Sequence, residues 1–162
     1  MAVLPAGTPA PGFSLARGDG ERFTEQDLQG RRTGLVFYPF AFSPVGTEQL
    51  QLYEPLTLEL AAAGDALYGV SCDSTWAQSA FRETLGVESE QLSDFEPKGD
   101  TCSAFGVLHA GGFPQRALVI TGPEGTVRWS YEADSPGDLP AVELLREGVE
   151  QAFAADRGAS RG

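Results

Sequence analysis

The chain has 162 residues, 41% of them hydrophobic and 21% charged, the make-up of one globular domain with room for a sizeable core. Its 23 acidic residues outnumber 11 lysines and arginines, giving a net charge of -12, so neither nucleic acid nor an anionic membrane is an expected partner. Two cysteines and one histidine leave no disulfide scaffold, no zinc-type ligand spacing and little basis for a Ser-His-Asp triad.

The start, MAVLPAGTPAPGF, lacks a basic segment and a long apolar run, so no signal peptide is expected. No stretch reaches the roughly 20 apolar residues of a spanning helix, and a cytoplasmic location is the expectation. Phe13–Leu15 alternates like a short strand, Gly18-Asp19-Gly20 makes a turn, and Arg22–Thr24 is the partner strand. Thr24 is placed to cap a short helical turn through Leu28. Leu35–Tyr38 reads as a central buried strand, ended by Pro39, which cannot donate to a ladder. Ser43-Pro44 then reads as a helix start, followed by Leu50, Tyr53, Leu56 and Leu60 near the helical period. Pro55 is expected to kink that helix.

Ala66–Cys72 is a second buried strand, and Asp73-Ser74-Thr75 offers a cap for a helix over Trp76–Leu85. Gln91–Phe95 is a short extended piece, Thr101–Phe105 a short helix, and His109–Pro114 a glycine-rich loop. Arg116–Thr121 and Thr126–Tyr131 flank Gly122-Pro123-Glu124-Gly125 and read as an antiparallel hairpin. Asp138–Ala154 is amphipathic, with Val142, Leu145, Val149 and Phe153 on one face. This predicts one α/β domain over residues 1–154 and a flexible tail over 155–162. The order βαβαββα behind a leading hairpin implies a mixed central sheet with helices on both faces.

The stretch LVFYPFAFSPVGTEQLQ, Leu35–Gln51, resembles the active-site segment of peroxiredoxins, cysteine-dependent peroxidases of the thioredoxin fold. Their Pro-x-x-x-Thr/Ser-x-x-Cys motif lays its proline on Pro39 and its hydroxyl on Ser43. The position of the attacking cysteine holds Gly46. SDFEPKGD, the strand RALVI led by Arg116, and GPEGTVRW match further, so the resemblance runs from about Pro11 to Phe153. Within the family the chain looks most like the one-cysteine, bacterial alkyl hydroperoxide reductase E type. The resemblance implies a thioredoxin-like fold with an N-terminal β-hairpin extension.

It also implies reduction of hydroperoxides by an external thiol, with no metal or organic cofactor, and assembly as a homodimer. In that chemistry a thiolate attacks the O–O bond and becomes a sulfenic acid. Ser43, a helix start and Arg116 would stabilise the thiolate and hold the peroxide. Phe40, Phe42, Val45 and Gln49 would line the site, Gln49 standing where many relatives carry Glu. Glycine has no atom with which to attack. Three readings stay open: a peroxidase inactivated at Gly46, a non-catalytic protein binding a small anion or a partner in the vacated site, and a redox role relocated to Cys102 or Cys72. Cys72 reads as a small core residue. Cys102 reads as the more exposed of the two thiols and a candidate resolving one. His109 is expected in solvent, and Trp76 and Trp129 in packing roles.

Overall fold

The computed structural model describes residues 2–159. Seven strands form one sheet: β1 (Ser14–Ala16), β2 (Arg22–Thr24), β3 (Thr33–Phe37), β4 (Ala66–Ser71), β5 (Gln91–Ser93), β6 (Ala117–Thr121) and β7 (Val127–Glu132), in spatial order β2-β1-β5-β4-β3-β6-β7. Parallel pairing joins β3, β4 and β5, and the two edges are antiparallel hairpins. The helices are α1 (Pro44–Ala62), α2 (Thr75–Leu85), α3 (Asp100–Ala104) and α4 (Val142–Ala159), with a 3-10 turn at Glu25–Leu28 that Thr24 and Asp27 close as a capping box.

Alternation along the strands divides the core. Leu35 and Phe37 of β3, Tyr68 and Val70 of β4, and Cys72 just after β4 point to one face, where they meet Phe13, Leu15, Phe23, Leu28, Cys102 and Phe105. Val36 and Leu67 point to the other, against Tyr53, Leu56 and Leu60 of α1 and Leu145 and Phe153 of α4. Helices thus cover both faces of a mixed sheet, as the element order implies. An N-terminal segment closes the outside of β7: Gly7 N–H donates to the Val127 carbonyl at 2.7 Å, Val127 N–H to that of Thr8 at 2.8 Å, and Ala10 N–H to that of Gly125 at 2.9 Å.

Helix α1 runs unbroken through Pro55. Helix α4 starts at Val142 instead of Asp138 and continues to Ala159, so residues 155–159 are helical instead of tail; residues 160–162 lie outside the described residues. Pro140 explains the late start, since the residue before a proline is pushed out of the helical region. Trp76 is not a packing residue: it is 87% exposed, because α2 buries Gln78 and Phe81 on the side facing the sheet. Trp129 does pack, against the α1 and α4 face.

Candidate active site

Both candidate regions sit at the carboxyl ends of β3 and β4, where parallel strands release the chain into loops. After Phe37 the chain passes buried Tyr38 and Pro39, turns through Phe40–Phe42, and enters α1 at Ser43. Ser43 is the N-cap. Its Oγ accepts from Gly46 N–H at 3.2 Å and donates to the Phe40 carbonyl at 2.8 Å, satisfying a donor that the helix start would otherwise leave free. The turn is pinned by Ala41 N–H, which donates to Asp73 Oδ2 at 2.7 Å. It is also strained: Phe42 has φ of 66°, a left-handed conformation rare for a bulky residue.

Gly46 is buried in the first turn of α1. Its surroundings leave little room for a side chain: a Cβ there would lie 2.7 Å from Ser43 Oγ, 2.9 Å from the Phe40 carbonyl oxygen and 3.6 Å from Tyr38 Cδ2. Phe40 and Phe42 are 44% and 54% exposed, and their rings rest on Phe113 at 5.2 Å and Phe81 at 5.0 Å. Val45 is half-buried beside them.

One helical turn further on, Gln49 is completely buried and meets Arg116. Arg116 precedes β6, whose pairing with β3 sets Ala117 opposite Phe37 and so brings the arginine beneath α1. Its NH1 donates to Gln49 Oε1 at 2.6 Å and its Nε to the Pro136 carbonyl at 2.7 Å. Arg116 is 2% exposed, and no carboxylate pairs with it among the described residues. Burial lowers its pKa, the expected cost of an un-neutralised interior cation. Gln49 Nε2 is a buried donor that completes no well-formed hydrogen bond, with the Tyr53 side chain as its neighbour. Nearby, Tyr53 donates its hydroxyl to the Pro140 carbonyl, and burial pushes its pKa up to about 12.

On the opposite face of the sheet lies a grouping that sequence spacing did not reveal. The sulfurs of Cys72 and Cys102 and a carboxylate oxygen of Asp94 all lie within 4.8 Å of one another. Cys72 follows β4, one residue past its end, and belongs to the core, as expected. Cys102 is not the exposed thiol: it is 0% exposed, turned inward by α3. Asp94 accepts Thr101 N–H at 3.1 Å and Cys102 N–H at 2.8 Å, fixing the start of α3. Three such side chains form a metal-type set, but both Asp94 oxygens already hold backbone donors and no histidine joins them. Only the fold could bring residues 72, 94 and 102 together. His109 is half-buried instead of free in solvent, stacked on Phe113 at 4.3 Å with its Nδ1 accepting from Gly111 N–H.

A strand, a stopping proline, a serine-capped helix start and a buried arginine from the next strand thus form one frame. Comparison with known proteins places the sequence and the fold. The model of the AhpC/TSA family matches residues 6–130. Peroxiredoxin Bcp of Escherichia coli K12 is 33% identical over 142 residues, covering 88% of this chain and 86% of that protein. AhpC of Enterococcus faecalis superposes with a TM-score of 0.82 at 28% identity over 97% of each chain. A peroxiredoxin-like protein of Aquifex aeolicus shares the fold, with a TM-score of 0.80 at 20% identity over 93% of this chain and 90% of that one. With sequence, fold and matched length in agreement, this chain belongs to the AhpC/TSA family and is a peroxiredoxin-like protein of thioredoxin-like fold.

Proposed function

We infer that the chain comes from the thiol-dependent hydroperoxide-reducing line of its family, and that Gly46 stands where the attacking cysteine would be. Hydroperoxide is then the substrate class of the line and an external thiol its reductant. The chain as written has lost that reaction at α1 or retains very little of it. The observation that carries this reading is the place of Gly46: first turn of the helix after β3, three residues past the Ser43 cap, with both cysteines in the core on the other face. The test is consumption of hydrogen peroxide with dithiothreitol by the chain and by Gly46→Cys at equal concentration. Turnover in the substituted protein far above that of the unsubstituted chain is the expected result. No gain over the unsubstituted chain would reject a frame intact but for one side chain.

A second reading is favoured by two incompletely met buried groups. Arg116 is a cation whose acceptors, Gln49 Oε1 and the Pro136 carbonyl, are both neutral, and Gln49 Nε2 is an N–H without a well-formed hydrogen bond. Such a pair beside a helix start suits a small anion or carboxylate. Titration with sulfate, phosphate and acetate, followed by calorimetry, should give binding that Gln49→Glu weakens through like charge; no heat with any of them ends this reading. The one-cysteine subgroup, a homodimer and a cytoplasmic location belong to the same proposal. A monomer in sedimentation velocity would remove the second of these.

A further inference from the structure

We propose that Cys72 and Cys102 are a buried redox pair that closes into an intramolecular disulfide when a hydroperoxide oxidises it. This stands apart from the assignment of Gly46: it concerns the other face of the sheet, and its readout is the covalent state of two sulfurs.

Three observations carry it. The two sulfurs and the Asp94 carboxylate lie within 4.8 Å of one another, so little movement separates the thiols from a bonded pair. The thiols come from different elements and neither is held in a strand ladder: Cys72 follows β4, one residue past its last paired residue Ser71, whereas Cys102 sits in α3, five residues long, so bringing the sulfurs together breaks no strand pairing. Lastly, the two thiols are inequivalent. A hydrogen bond from the Cys102 thiol favours the Cys72 thiolate and lowers its pKa. The same pairing, with burial and the neighbouring Asp94, pushes Cys102 up. Cys72 is also the less enclosed, 5% exposed against 0%.

The order of events follows. The Cys72 thiolate attacks one oxygen of the hydroperoxide, the O–O bond breaks, and the alcohol or water leaves with a proton, giving a sulfenic acid on Cys72. The Cys102 sulfur then attacks that sulfur, the S–O bond breaks, and the Cys102 proton leaves with hydroxide as water. Two thiols lose two electrons and one hydroperoxide gains them. Asp94 is a positioning residue: its hydrogen bonds to Thr101 and Cys102 N–H hold α3 against the end of β4. A bound metal is the competing use of these atoms, and it needs the thiols to remain open.

The chain as written is treated with equimolar hydrogen peroxide, alkylated in denaturant, digested with trypsin and weighed. The expected product joins the peptides 33–82 and 99–116 with the loss of two hydrogens, both alkylatable thiols disappearing in step, and dithiothreitol restores them. In Cys102→Ser the oxidation stops at a Cys72 sulfenic acid that dimedone traps, while in Cys72→Ser the remaining thiol persists. Unchanged thiols, sulfinic acid without the cross-link, or cross-links only between chains would overturn the proposal. So would one equivalent of zinc in the purified protein that a mercurial releases. The unsubstituted chain decides the matter even where a serine variant fails to fold.

Discussion

Two regions flank the carboxyl ends of β3 and β4, one on each face, and each holds half of what thiol chemistry needs. The Gly46 region has a capped helix start, aromatic residues reaching solvent and a buried guanidinium, but no nucleophile. The Cys72 and Cys102 region has two sulfurs and a carboxylate, but 5% exposure at most on either thiol. If the proposed roles hold, recognising a substrate and reacting with it are separable properties of this fold. An anion site needs donors and an opening, whereas a dithiol needs only proximity and a shape of oxidant small enough to enter.

Substitutions that change one region and leave the other alone test this separation. In a Gly46→Cys background, Arg116→Met should lower peroxide turnover by about a hundredfold, the scale of losing one positioned donor, while oxidation of Cys72 and Cys102 is unchanged. Gly46→Ala, adding the Cβ without the sulfur, should destabilise by about 1–2 kcal/mol in urea unfolding, because the Phe40 carbonyl oxygen at 2.9 Å must move. Stability equal to the parent would mean that the turn, strained at Phe42, relaxes on being pushed.

Gln49→Glu should stabilise by about 1 kcal/mol at neutral pH, since it removes the incompletely bonded N–H and gives Arg116 an anionic partner. That carboxylate would be held below its unfolded value, so the gain is present above the ordinary carboxylate range and is lost as pH falls through the depressed value. Asp94 behaves in the opposite sense. Burial raises its pKa against the opposing hydrogen bonds from Cys102 and Thr101. The folded chain therefore keeps its proton longer than the unfolded one, and stability declines as pH rises between the two values. Asp94→Asn should flatten that part of the pH–stability curve. The smallest effect is expected from Cys72→Ser with Cys102→Ser in the Gly46→Cys background: turnover should stay within about twofold if the faces are independent.

The region around Gly46 was legible in the sequence because it is local. A β run, a proline that ends it, a serine cap and a helical period fall within 17 consecutive residues, Leu35–Gln51, and each has its own physical signature. Arg116 was reachable only through the resemblance. Its burial and its bond to Gln49 follow from β6 pairing beside β3, which no local pattern encodes. The sequence left a redox role open for either cysteine but not their pairing: Cys72 and Cys102 are 30 residues apart, and no local pattern shows that α3 turns Cys102 inward. The segment before α4 misled for another reason. Its apolar spacing is helical, yet Pro136 and Pro140 keep their carbonyls free to accept from Arg116 and Tyr53. Those residues tie the site to the C-terminal helix instead of lengthening it.

The N-terminal segment laid along β7 also bears on how the protein behaves in a crowd. A sheet of seven strands ends in two rows of unspent backbone groups, and an open row invites another chain to add a strand. Residues 7–10 occupy part of that row at Gly125 and Val127, and β2, only three residues long, offers little at the far edge. Copies of the chain, each carrying a net charge of -12, are thereby denied an easy template for edge-to-edge aggregation.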